Sequence, residues 1–125
     1  MNATEKIQMT VHNYAANAQK AAKTVQAEIT GAFELGYMIE ASQMERLMAA
    51  QAETAVWGRM VKLVERAMTN GDLEVRMAER LDEIADYLIE VNGGGSTSLV
   101  QNAKDAAERR AHQAAYKALR PFAIR

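Results

Sequence analysis

The sequence contains no cysteine and only one proline, Pro121, among its 125 residues. Without cysteine the chain cannot form disulfides, thiolate metal sites or a thiol nucleophile. Because proline is confined to the C-terminal end, the strongest helix-breaking residue is missing from the rest of the chain. No apolar run approaches the roughly 20 residues of a membrane span, and polar residues interrupt the N-terminal stretch, unlike a signal peptide. We therefore expect a cytoplasmic protein that does not enter a membrane.

Strand-forming patterns are also missing. β-Branched and aromatic residues do not alternate with polar residues over the length of a strand. The abundant residues are alanine, methionine, leucine, glutamate, glutamine, lysine and arginine, which favour helices. The composition, 49% hydrophobic and 25% charged, is that of an ordinary globular protein. We predict an all-α fold of four to five helices, forming a helical bundle-like subunit.

Glycines and cap residues divide the chain into four helical stretches. The first is predicted over residues 4–29, with Gly31 as a left-handed cap, and the second over residues 32–68. Gly71 is predicted to cap the second stretch, and Asp72 to be the N-cap of the third, residues 73–91. The glycine-rich segment 92–98 is predicted to be a linker, and the fourth helix to end near residue 119, before Pro121. The third helix has the clearest apolar pattern: Leu73, Met77, Leu81, Ile84, Leu88 and Val91.

The apolar side of the second stretch changes direction near Trp57 and Gly58. A straight helix packed on one core cannot turn its apolar side by about 180°. Either the helix breaks there, or it stays whole and buries opposite faces in different neighbours. A whole helix of about 35 residues would span about 50 Å, too long for a compact monomer of this size, so its second apolar face would need a partner chain. The second alternative predicts a homo-oligomer. The first side carries Met44, Leu47, Met48 and Ala55, and the second carries Val56, Met60, Leu63, Val64 and Met68.

Charge is distributed unevenly along the chain. From Lys104 to the C-terminus there are six basic and two acidic residues, a net charge of +4. The preceding 103 residues carry nine basic and 14 acidic groups, a net charge of −5. Such an asymmetry indicates an anionic partner. We therefore divide the chain into an acidic helical core and oligomerisation region, residues 1–95, and a basic C-terminal helix and tail, residues 96–125.

The fourth helix is predicted to expose one cationic face. An alanine-rich stripe is predicted to face the core: Val100, Ala103, Ala107, Ala111, Ala114 and Ala118. In the neighbouring arc, cations can neutralise phosphates, amides can bond to sugars or base edges, and an aromatic ring can stack on a base. The arc contains Asn102, Arg109, Arg110, Gln113, Tyr116, Lys117 and Arg120.

Two other interpretations of this arc are open. It can be a solvated helix face whose last cations suit the helix dipole, or its cations can pair with acidic residues of the body. The acidic residues available for pairing are Glu79, Asp82, Glu83, Asp86 and Glu90.

The segment "ERLDEIADYLIEV" resembles the second acidic motif of all-α nucleotide pyrophosphohydrolases of the MazG type, through Glu83 and Asp86. The resemblance implies a magnesium ion held by carboxylates three residues apart on one helix face. The family also carries an earlier Glu-x-x-Glu, which is missing here. The upstream glutamates, Glu34, Glu40, Glu45 and Glu53, are spaced six, five and eight residues apart.

Three functional hypotheses follow. The leading one is a small non-enzymatic nucleic-acid-binding accessory protein that binds single-stranded or sequence-tolerant DNA, with DNA favoured over RNA. No helix-turn-helix spacing indicates sequence-specific binding. The alternative is a helical protein–protein adaptor or assembly factor, and the distant alternative is a MazG-like magnesium-dependent hydrolase. We expect no cofactor, no catalytic residues and no metal site, because His12 and His112 are isolated in the sequence.

Overall fold

The protein is all-helical in the part that the computed structural model describes, residues 2–90 and 98–122. Those residues form four α-helices and no strand, which confirms the predicted fold class. The predicted linker, except Ser98, and Val91 lie outside the described residues. The helices are α1, Ala3–Glu34; α2, Ala41–Asn70; α3, Leu73–Glu90; and α4, Leu99–Leu119, followed by a 3₁₀ turn, Arg120–Phe122.

The turn between α1 and α2 lies later than predicted. Gly31 is inside α1, and Gly36 is the left-handed residue, with φ 77°. The Tyr37 N–H donates to the Ala32 carbonyl at 2.9 Å and the Gly36 N–H to the Phe33 carbonyl at 3.0 Å, the hydrogen bonds of a Schellman cap. A mid-helix glycine costs only about 1 kcal/mol relative to alanine, so the cap formed at Gly36 decides where α1 ends.

Helix α2 is continuous through Gly58, which excludes the first of the two alternatives, a break at that position. The apolar face of residues 56–68 does not need a second subunit either. Val56, Met60 and Val64 on this face are buried in the chain's own core. The apolar side turns because α2 packs on α1 and also on α3 and α4. Different neighbours therefore cover different sides of one straight helix.

The junction between α2 and α3 follows the sequence prediction. Gly71 adopts φ 73° and its N–H donates to the Ala67 carbonyl at 2.8 Å. Asp72 occupies the N-cap position of α3, with its carbonyl accepting from the Arg76 N–H at 3.0 Å. Its carboxylate Oδ2 accepts a hydrogen bond from the Arg76 guanidinium at 3.0 Å, and the two groups form an ion pair.

One core joins all four helices, and α4 contributes to the same cluster as the rest. Helix α2 lies at its centre and contacts α1, α3 and α4. No helix in residues 2–90 and 98–122 has the length and apolarity needed to cross a membrane. The largest fully buried side chains are Ile7, Val11, Trp57, Met60, Val64, Met77, Ile84 and Leu119.

Candidate nucleic-acid interface

Helix α4 begins at a capping residue and ends just before a proline. Ser98 is the N-cap, and its Oγ accepts from the Gln101 N–H at 3.2 Å. Pro121 cannot donate a hydrogen bond to the preceding turn, and α4 ends as predicted, at Leu119, two residues before it. The chain then tightens into the 3₁₀ turn, where Phe122 packs against the core. The C-terminal end of the basic helix is thus anchored to the core.

The inner face of α4 differs from the predicted stripe. The fully buried residues are Ala107, Ala111, Ala115 and Leu119, together with the His112 ring. Val100 is 65% exposed and Ala114 is exposed, so neither belongs to the buried stripe. The stripe is rotated because Leu119 offers far more apolar area than the alanines, and its burial against the core determines how the helix is turned.

The structure brings most of the predicted site residues together on the outer face of α4. The exposed members of the predicted arc are Asn102, Arg110, Gln113, Lys117 and Arg120. Arg109 and Tyr116 are half-buried, and Tyr116 packs against the core. The outer face is therefore cationic and hydrophilic, with its one aromatic ring lying partly beneath the surface.

Arg109 lies beside the third helix. The pKa of Tyr87 on α3 is raised, first by burial of the phenol and then by the charges of Glu108 and Asp105, while the Arg109 charge lowers it. The Tyr87 ring also meets the His112 ring, with centroids 4.3 Å apart. His112 Nδ1 lies 2.7 Å from the Glu108 carbonyl oxygen. Arg109 is therefore close enough to Tyr87 for its charge to act across the α3–α4 junction, and it is less exposed than Arg110.

The cations of the α4 arc do not pair with the acidic body. Among residues 2–90 and 98–122, four ion pairs occur: Arg46–Glu28, Arg76–Asp72, Arg76–Glu79 and Arg80–Glu83. None of them involves Arg109, Arg110, Lys117 or Arg120. Two acidic residues that were candidates for pairing, Glu79 and Glu83, instead bind arginines of their own helix, α3.

A second group of cations lies on α2 and was not assigned to a site from the sequence. Arg59, Lys62 and Arg66 are exposed and line a cavity of about 480 Å³ together with Asp72 and Arg76 of the α3 start. Asp72 Oδ1 is buried without a hydrogen-bond partner, while Oδ2 binds Arg76. In the sequence, Arg59, Lys62 and Arg66 are spaced three and four residues apart, which places them on one side of a helix. The solvated side of an ordinary amphipathic helix has the same spacing, so the sequence did not identify this group as a site.

The acidic motif on α3 is part of a helix surface in this structure. Glu83 binds the Arg80 guanidinium at 3.0 Å, and Asp86 is exposed. Within the described ranges, no group of three or more His, Asp or Glu side chains is placed to hold a metal ion.

Comparison of the chain with protein families, curated proteins and solved structures gave no match.

Proposed function

We propose that the protein is a small non-enzymatic accessory protein of the cytoplasm that binds nucleic acid through the outer face of α4. The observation that supports this is the set of arc cations that form no ion pair with the acidic body. Exposed arginine and lysine on one helix face can contact successive phosphates without reading base sequence. Single-stranded or sequence-tolerant DNA is the ligand that suits this face best.

The arrangement also divides the roles of the arc residues. Arg110, Lys117 and Arg120 are exposed and contact phosphates, whereas Asn102 and Gln113 offer amides to sugars or base edges. Arg109 adds positive charge from the α3–α4 junction.

Tyr116 is the stacking residue of the proposal, acting through the part of its side chain that remains exposed. Tyr116→Ala is expected to weaken single-strand binding by about 1–3 kcal/mol and to change duplex binding little, because duplex bases already stack on each other. Tyr116→Phe is the matched control, since it keeps the ring and the packing. If Tyr116→Ala weakened single-strand and duplex binding equally, Tyr116 would not be a stacking residue of the interface.

The experiment is a fluorescence-anisotropy titration of single- and double-stranded oligonucleotides at several salt concentrations. Arg110→Ala combined with Lys117→Ala is expected to weaken binding on all sequences alike. Each lost phosphate contact should reduce the log–log salt slope by about 0.7 on single strands. Lys20→Ala combined with Lys23→Ala removes two exposed cations from α1 and serves as the control for net charge. The proposal would be overturned if the Arg110→Ala, Lys117→Ala variant and the Lys20→Ala, Lys23→Ala control bound with the same affinity and the same salt slope.

A helical adaptor or assembly factor is the second candidate, and it too can self-associate. Large apolar side chains are exposed where α1 turns into α2, among them Phe33, Leu35, Tyr37 and Met38. Exposed apolar patches of this kind mark protein–protein contacts. An intact salt slope in the α4 variant, together with loss of a protein contact when these apolar residues change, would favour the adaptor.

A further inference from the structure

The outer half of the α1–α2 hairpin has no core of its own. The last fully buried residue of α1 is Val25 and the first of α2 is Ala50, and every residue between them is at least partly exposed. Within this segment α1 and α2 run antiparallel, joined by the Glu28–Arg46 ion pair at 2.9 Å. In the described part of the chain, the hairpin end is therefore a two-helix layer that contains no buried residue.

The lengths of the helices explain why this end is uncovered. At 1.5 Å per residue, α1 and α2 span about 48 and 45 Å, but α3 and α4 span only about 27 and 32 Å. Helix α3 starts at the far end of α2, immediately after Gly71, and returns along it. Met48 of α2 and Lys104 of α4 line the same cavity, so α4 lies beside α2 at Met48. Among the described residues, no residue of α1 after Val25 and none of α2 before Ala50 is buried by α3 or α4.

The uncovered end carries six exposed apolar side chains, which we call the hairpin-tip cluster. Phe33, Leu35, Tyr37 and Met38 are 67–90% exposed, and Ile39 and Met44 are 37% and 39% exposed. Taking about 150–250 Å² for a large side chain, the cluster exposes on the order of 700 Å² of surface. This sum is close to the roughly 800 Å² that each partner buries in a standard interface.

We propose that the hairpin-tip cluster is covered by the same cluster of a second copy of this chain. Two hairpin ends packed face to face supply the four helices that a bundle needs to enclose an apolar core. Phenylalanine, tyrosine and methionine are also the residues that interface cores favour. The contact is isologous, as in most homodimers, and it lies at the opposite end of α2 from residues 56–68.

The charges near the cluster argue against an anionic occupant. The hairpin end carries Glu28, Glu34, Glu40 and Glu45 against Arg46, so nucleic acid and anionic lipid surfaces are repelled. Glu28 is paired with Arg46, and Glu40 is held in the capping box of α2. Glu34 and Glu45 are the remaining carboxylates of this end. At the rim of the dimer they would lie near the same carboxylates of the second copy and repel them. Because salt screens such like-charge contacts, dimerisation should become tighter as salt increases.

The first test is the mass of the full chain by light scattering and sedimentation between about 1 and about 100 μM. We expect the mass to rise from 13.8 kDa to that of two chains with concentration. Leu35→Asp combined with Met38→Asp should leave 13.8 kDa throughout, with the helical circular dichroism unchanged. Val75→Asp, at an apolar residue 58% exposed on α3, is the matched control and should dimerise like the parent. A parent chain that stays monomeric at about 100 μM, or a tip variant that still dimerises, overturns the proposal.

The second test distinguishes the isologous contact from a head-to-tail one. Because the chain has no cysteine, Met38→Cys introduces a single thiol at the proposed interface. Oxidation should link two copies through position 38, whereas Val75→Cys should stay uncrosslinked. An association that weakens with salt and leaves position 38 uncrosslinked would show the cluster docking on a cationic surface instead. The Arg110→Ala, Lys117→Ala variant should dimerise normally, so the dimer and the nucleic-acid interface can fail independently.

Discussion

Tyr14 of α1 stacks on Trp57 of α2, with ring centroids 4.7 Å apart and planes inclined by 20°. Trp57 is the only tryptophan and is almost fully buried, whereas Tyr14 remains 45% exposed and covers it. The stack lies beside Gly58, where the sequence suggested a break in α2. It ties the middle of α2 to α1.

A double-mutant cycle should measure this stack. Tyr14→Ala and Trp57→Leu are each expected to lower the free energy of unfolding, Trp57→Leu by more because its indole fills the core. Their coupling should be about 0.5–1.5 kcal/mol, the usual value for an aromatic pair. Urea denaturation followed by circular dichroism gives the four free energies. Tyr14→Phe keeps the ring and should retain the coupling, and additive single effects would show that the rings do not interact.

Gly58→Ala is expected to raise the free energy of unfolding by about 0.5–1 kcal/mol. Gly58 lies inside a continuous helix, and a β-carbon added there meets no atom within 4 Å. Alanine therefore removes only the entropy that glycine loses on folding.

Gly71→Ala is the matched control for Gly58→Ala. Gly71 also has open space around it, but its φ of 73° is strained for any residue with a β-carbon. Thermal melts should therefore move in opposite directions. A destabilised Gly58→Ala variant would show that α2 bends or opens at this position.

The raised pKa of Tyr87 predicts a loss of stability at alkaline pH. Because the folded state holds the phenolic proton more tightly than the unfolded chain, the contribution of Tyr87 is fully present below the ordinary pKa of about 10. It is lost as pH rises from that value through the folded pKa. The difference in unfolding free energy between the parent and Tyr87→Phe should be constant up to about pH 10 and then change in favour of Phe.

Charge variants on α4 test the cause of this shift. Glu108→Gln should lower the Tyr87 pKa and Arg109→Ala should raise it, as measured by the phenolate absorbance lost in Tyr87→Phe. If neither variant moved the titration, the charges of Glu108 and Arg109 would not contribute to the shift.

We expect no magnesium-dependent hydrolysis of nucleoside triphosphates. Glu83 is engaged by Arg80, and the described residues bring no third carboxylate or histidine to Glu83 and Asp86. Incubation with triphosphates and magnesium should leave the nucleotides intact by phosphate and pyrophosphate assays. Pyrophosphate release that disappears in Asp86→Asn would establish the hydrolase instead.

The sequence identified the candidate interface only partly. Charge counting along the chain located the basic helix, because net charge needs no knowledge of neighbours. It could not show that Arg109 lies beside Tyr87, or that Tyr116 packs on the core, since both depend on where α3 lies. The hairpin-tip cluster was missed for the same reason. Phe33, Leu35 and Met38 look like ordinary core residues until the ends of α3 and α4 are known.

Local signals determined the helical class, the pattern of α3 and the cap at Gly71. These depend on backbone preference and on residues within a few positions of one another, so the chain carries them without its partners. Tertiary packing decided that α1 continues through Gly31, that α2 stays whole at Gly58, and which face of α4 is buried. In each case the free energy gained by burying side chains on a neighbouring helix exceeds a small local cost. The sequence alone does not show which helix will be the neighbour, because that is defined only when the helices have packed.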